Sequence, residues 1–141
     1  MRIESDVKLD FKDVLIRPKR STLGSRNAVD VDRTFRFLHT GGEWSGFPLI
    51  AANMDVTGTM AMARALGKRG ALTALHKHYP EDELAKFFAS EDGVHAFYSL
   101  GAAEVDRATL AAVRKRAQPR LICIDVANGY AEKFLGIVKQ V

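Results

Sequence analysis

Pro48-Leu49-Ile50-Ala51-Ala52-Asn53-Met54-Asp55 is an apolar run that stops on an amide, a thioether and a carboxylate. It is far shorter than the roughly 18 residues a membrane span needs. Continuous apolar residues without alternation suit a strand covered on both faces, as in a parallel sheet. A helical pattern of small residues and methionines follows over about residues 57–69, with Met60, Ala63, Leu66 and Gly67. The segment therefore reads as strand, loop and crossover helix. In such folds the functional groups collect at the carboxyl ends of the strands.

The same grammar recurs three times downstream. A strand over 71–75 ends in His76-Lys77-His78-Tyr79, and Pro80 opens the next helix with Glu81, Asp82 and Glu83 near its positive end. Leu84, Phe87 and Phe88 then fall at i, i+3 and i+4 and predict one buried face. A third strand over 95–100 ends near Ser99-Leu100-Gly101. The helix over 103–117 is expected to bury Val105, Ala108 and Ala112, with Leu110 and Val113 beside them. A fourth strand over 120–126 ends in Asp125-Val126-Ala127-Asn128-Gly129, and a helical stretch runs on to Val141. Strand starts are roughly two dozen residues apart, the spacing that parallel strands with crossover helices require. The chain is thus α/β. Spacing alone leaves open a small open sheet or half of an eight-fold barrel.

Residues 1–47 are less regular and read as an N-terminal arm preceding a single domain over 48–141. Leu9 to Ile16 mixes apolar and polar residues and is stopped by Arg17-Pro18. Val29, Val31, Phe35 and Phe37 alternate, which predicts a strand or hairpin. Gly41-Gly42 and Gly46 punctuate the approach to the first buried strand.

Composition sets limits on function. The 141 residues are 47% hydrophobic and carry a net charge of +4. Met1 to Asp10 holds no apolar block flanked by basic residues, so no signal peptide is expected. One cysteine, Cys123, cannot form an internal disulfide and suits a reducing compartment such as the cytoplasm, as a packing residue. Basic clusters at Arg17, Lys19, Arg20 and Arg26 and at Arg114 to Arg116 lack interleaved aromatics. They favour a solvated face and a phosphorylated small ligand over a nucleic acid polymer.

His76 and His78 can face one side of a strand end, but no third ligand is evident and Lys77 stands between them, so no metal site is expected. Lys77 suits a cradle for phosphate or carboxylate. Asp125 ends a strand, where a carboxylate can accept ribose hydroxyls or orient an amide. Asp125, Asn128 and Asp55 are equally suited to helix N-caps. Neither Gly-x-Gly-x-x-Gly nor a Walker loop occurs. Ser25-Arg26, read alone, is polar surface.

Four blocks together resemble the IMP dehydrogenase/GMP reductase family, and its reductase branch in particular. They are Leu9 to Leu23, Ala51-Ala52-Asn53-Met54-Asp55, His76-Lys77-His78-Tyr79, and Cys123 to Tyr130. They span nearly the whole chain in family order. The chain passes from Tyr79 straight into a helix, where the dehydrogenases usually carry a regulatory insertion. Val126-Ala127-Asn128 stands where they tend to have serines.

The resemblance implies a (β/α)8 barrel, with only the arm and about four βα units present, and a cytoplasmic, homotetrameric NADPH-dependent oxidoreductase converting GMP to IMP and ammonia. In that family a cysteine attacks the purine C2 and displaces ammonia, and hydride then reaches the same carbon. The resemblance assigns Ser25, Arg26, Lys77, Asp125, Val126 and Ala127 to NADPH, and Asn53 and Met54 to the GMP/IMP purine. The family's nucleophile and potassium site match no position here, and Cys123 is not that nucleophile. No catalytic residue is expected in these 141 residues, and the chain alone is expected to be inactive; a non-catalytic nucleotide-binding half-barrel module and an IMP dehydrogenase-like oxidoreductase are the alternative readings.

Overall fold

The computed structural model describes residues 5–141. By contacts the chain divides into two compact units, Met1–Asp30 and Val31–Val141.

The first unit contains two short 3₁₀ turns. Phe11–Asp13 is held by a reciprocal capping box between Asp10 and Asp13. Arg26–Ala28 is capped by Ser25, whose hydroxyl accepts from Asn27 N at 3.2 Å. Phe11, Leu15 and Ile16 are exposed.

The second unit opens with an antiparallel hairpin, β1 (Arg33–Arg36) paired to β2 (Glu43–Gly46). Gly41, at φ +67°, supplies the left-handed residue of its turn. Phe35 stacks on Trp44 at 6.1 Å between centroids. The sequence pattern groups this hairpin with the arm, whereas its contacts group it with the second unit.

Then come β3 (Ile50–Ala51), α1 (Met60–Gly67), β4 (Leu72–Ala74), α2 (Glu81–Phe88), β5 (Ala96–Leu100), α3 (Glu104–Arg114), β6 (Leu121–Ile124) and α4 (Glu132–Val138). The strands form one parallel sheet in the order β3-β4-β5-β6. This sequential order with intervening helices is that of the first four units of a (β/α)8 barrel. Among the described residues the sheet is open, with β3 and β6 at its edges.

Strand alternation sorts the side chains. Leu75, Ala96, Tyr98 and Leu100 meet Leu84, Phe87, Phe88, Leu110 and Val113 in the core between sheet and helices. On the opposite face, Ile50, Leu72, Phe97 and Leu121 join Phe35, Phe37 and Trp44 of the hairpin around an apolar cavity of about 480 Å³. That cavity lies at the amino ends of the strands, away from the polar rim.

The helix starts have local causes. Thr59 caps α1, its hydroxyl accepting from Met62 N at 3.1 Å. The helix therefore begins at Met60, not at 57: residues 54–58 are bound into a turn by Thr57 N and Gly58 N donating to Met54 O. Asp55 is not the cap. Gly70, at φ +70°, turns the chain after α1 into β4. In α2 the three expected residues Leu84, Phe87 and Phe88 are buried.

In α3 the expected face is corrected. Val105 is 68% exposed, Ala108 is exposed, and Leu110 and Val113 are the buried residues. Leu110, Val113 and Ala117 form the stripe at i, i+3 and i+7 that meets the sheet, and Val105 lies off it. Arg116 pairs with Asp82 between the α3 end and α2, holding that carboxyl below its usual range. Both groups are solvated, so the pair contributes little.

Candidate functional site

Four loops follow the carboxyl ends of the four parallel strands, and Asn53, Met54, Lys77 and Asp125, singled out in the sequence, stand on them, whereas Ser25 and Arg26 do not. The β3 loop carries Asn53 and Met54. Asn53 is half-buried, and Met54 is 62% exposed while its carbonyl closes the turn. Gly58 ties this loop to the next, its carbonyl accepting from His76 N at 2.8 Å. A Cβ at Gly58 would meet Asn53 Cα at 2.8 Å and Ala52 O at 2.9 Å, and would also strike the carbonyl of Ala74. The close approach of two backbones here demands glycine.

The β4 loop carries the His-Lys-His-Tyr run. His76 stacks on Tyr79 at 4.1 Å and 13° between planes. The Tyr79 hydroxyl accepts from Met60 N at 3.1 Å, so the first N–H of α1 anchors this loop. His78 Nε2 lies 3.7 Å from Asp55 Oδ1, both exposed. His78 N also donates to His76 Nδ1 at 3.3 Å, so one histidine stacks on Tyr79 while the other, bonded to it, stands beside a carboxylate. Among the described residues no group of three His, Cys, Asp or Glu could hold a metal ion.

Lys77 is exposed and reaches sideways toward the β5 loop. Its Nζ lies 3.7 Å from where a Cβ would stand on Gly101. Asp106 Oδ2 borders that position at 2.7 Å and accepts from Gly101 N at 3.1 Å. From the other side, Asp125 N donates to Leu100 O at 2.8 Å, which places Asp125 at the end of β6 beside the same strand end. Lys77 and Asp125 therefore flank one rim segment, the turn from Leu100 to Gly101.

Asp125 does not cap α4. The residue at that position is Ala131, without a side-chain bond. Asn128 is not the cap either, since its Oδ1 accepts from Tyr130 N at 2.9 Å in a local turn. Val126 is half-buried and Ala127 is exposed on the same loop. Ser25 and Arg26 lie in the first unit, where Ser25 caps the turn that Arg26 opens. Cys123 is a free, half-buried thiol inside β6, registered against Ser99 of β5.

Residues 8–141 match the model of the IMP dehydrogenase / GMP reductase domain.

The chain belongs to the IMP dehydrogenase/GMP reductase family.

Among named members of the family, it is 52% identical over 99% of its length to the GMP reductase of Klebsiella pneumoniae subsp. pneumoniae, covering 42% of that protein. It is 53% identical to the GMP reductase of Salmonella arizonae, again over 99% of this chain and 42% of the relative. The inosine 5' monophosphate dehydrogenase of Legionella pneumophila superposes with a TM-score of 0.73 at 28% identity, over 92% of this chain and 38% of that one. The chain thus spans about two fifths of the length of its family relatives. No helix among the described residues is long and apolar enough to cross a membrane.

Three residues that shape this rim carry no motif: Gly58 and Asp106, which the sequence does not single out, and Gly101, which it marks only as the end of the third strand. The signal for the glycines is position alone, one within and one at the start of a loop after a buried strand. The signal for Asp106 is an acid at the third position of a helix whose N-cap, Ala103, has no polar side chain.

Proposed function

We propose that this chain forms the cofactor-facing part of a GMP reductase, an NADPH-dependent oxidoreductase that converts GMP to IMP and ammonia. The observation that carries the reading is the exposed cation Lys77 and the exposed carboxylate Asp125 on either side of the end of β5. A reduced dinucleotide offers the matching groups, phosphate for the ammonium and ribose hydroxyls or a carboxamide for the carboxylate. Val126 and Ala127 give that ligand a short-chained surface after Asp125. Ser25 and Arg26 are assigned to the same cofactor, Arg26 as a second cation. Asn53 supplies an amide for the purine edge, and the exposed Met54 supplies a polarizable face for its ring.

When bound, NADPH supplies the hydride that the purine C2 accepts. The residues of this chain bind and orient; none is assigned covalent attack. Cys123 lies within a strand against Ser99, and we assign it to packing. No residue here is assigned to the family's potassium ion. The intact enzyme is assigned to the cytoplasm as a homotetramer. Two observations favour the reductase over the dehydrogenase. Relatives named GMP reductase are about half identical to this chain, and Tyr79-Pro80 runs directly into α2 without an inserted domain.

The test is a fluorescence titration of NADPH with the 141-residue chain, wild type and Lys77→Ala, followed by addition of GMP. Saturable binding that Lys77→Ala weakens, without NADPH consumption, is expected. Binding indifferent to Lys77, or no binding, overturns the cofactor assignment. Oxidation of NADPH on adding GMP overturns the view that these residues carry no nucleophile.

A further inference from the structure

Lys77 is a flexible, exposed side chain, and such a chain loses conformational entropy whenever a ligand fixes it. Its surroundings bear on that cost. The space beside Gly101 that a Cβ would fill is shared by Lys77 Nζ, at 3.7 Å, and Asp106 Oδ2, at 2.7 Å. Asp106 is itself fixed, because Oδ2 accepts the N–H of Gly101 at 3.1 Å from the first turn of α3. Gly101 is buried, and its backbone is the continuation of β5. A fixed carboxylate and an ammonium group thus border the same open space beside Gly101, further apart than a close ion pair. Opposite charges beyond ion-pair contact still attract, though weakly at the protein surface.

We propose that Gly101 and Asp106 are positioning residues for Lys77: together they form a shelf that holds its ammonium group at the rim, pre-set for an anionic ligand. Asp106 acts through Lys77 and touches no ligand itself. That the anion is a cofactor phosphate rests on the function proposed above; the placement of Lys77 does not. A Cβ at position 101 forces the Asp106 carboxylate aside and so removes the charge beside the ammonium group, which itself stays at ordinary contact distance. The shelf accounts for an acid at the third position of a helix that has no polar cap.

Two measurements test this separately. Placement is read without ligand by the nuclear Overhauser effect between the Lys77 ε-methylene and the Gly101 α-protons in the full chain. It is expected in the wild type, and reduced in Asp106→Asn, which keeps an oxygen for the Gly101 N–H and removes the charge. An effect absent from the wild type, or unchanged in Asp106→Asn, overturns the shelf.

Coupling is read by NADPH titration of Asp106→Asn and Gly101→Ala, each in the wild-type and Lys77→Ala backgrounds. A loss of affinity of about threefold to tenfold is expected for each in the wild-type background, the scale of one polar interaction, and almost none once Lys77 is gone. Equal losses in both backgrounds mean a merely structural role and overturn the proposal. A normal Overhauser response without NADPH binding keeps the shelf and overturns the cofactor reading instead.

Discussion

The backbone N–H of Asp125 donates to the carbonyl of Leu100 at 2.8 Å. This bond carries the β5–β6 ladder one residue past the last paired strand residue, Ile124. It fixes the main chain of Asp125 at the rim while its side chain stays exposed. Lys77 approaches the same strand end from the β4 side, so a cation and a carboxylate separated by several dozen residues in the chain become neighbours across one strand.

Removing the cation should therefore affect binding and leave the fold alone. Lys77→Ala is expected to weaken NADPH binding by about 1.5–3 kcal/mol, the scale of a hydrogen bond to a charged group. Its melting temperature should match the wild type, because the side chain is solvated. Asp125→Asn should weaken binding less, since an amide oxygen still accepts. Parallel fluorescence titrations and thermal melts decide this; a fall in melting temperature for Lys77→Ala would mean that the residue supports the fold.

Gly58 is expected to tolerate no side chain. Gly58→Ala places a methyl group against three pieces of backbone, and separation of the β3 and β4 loops breaks the His76 N to Gly58 O bond. A loss of about 1–3 kcal/mol is expected from such overpacking, visible as a lower denaturant midpoint. Unchanged stability would show that the two loops part freely.

Tyr98 couples stability to alkaline pH. It is buried, and desolvation first, then the charges of Asp106 and Glu81, push its phenol up to about 12 from 10.0. The folded state holds this proton more tightly than the unfolded state. The contribution is therefore complete below pH 10 and is lost as pH rises toward 12. Melting temperature should fall across that window in the wild type, and less steeply in Tyr98→Phe. Parallel slopes for the two proteins would remove Tyr98 as the cause.

The core between sheet and helices should depend on Leu100, which is 1% exposed. Leu100→Ala is expected to cost about 2–5 kcal/mol and to loosen the turn into Gly101. Val105→Ala, at an exposed position of the same neighbourhood, should change stability by less than about 0.5 kcal/mol. Denaturant titration of Leu100→Ala tests the core on the β5 side, and that of Val105→Ala tests the corrected face of α3.

The sheet edges predict self-association. β3 and β6 each present one unpaired side among the described residues, and Leu49 and Ile50 are about half exposed beside the first. Such edges pair with other chains unless covered or charged. Sedimentation velocity of the chain should show mass increasing with concentration, and Ile50→Lys should reduce it. A strict monomer across the range would show that the edges are protected.

Much of this architecture is legible in the sequence because its cause is local. An unbroken apolar run followed by a helix-period pattern, four times over, specifies parallel strands with crossovers, and the polar residues closing each run mark the rim. Lys77, Asp125, Asn53 and Met54 are readable for that reason. The buried face of α3 is not, because Val105 and Val113 are equally apolar. Only the direction in which the helix leans on β5 selects the stripe through Leu110 and Val113.

By itself, then, the sequence determined the element types, their order and which residues end each strand, all set by short-range periodicity and by where apolar runs stop. The tertiary structure alone decided that Lys77 lies over Gly101, that Asp106 secures that glycine, and that neither Asp125 nor Asn128 caps α4. These facts depend on the spacing and register of adjacent strands, which bring distant loops within hydrogen-bond range and leave no trace in any local pattern.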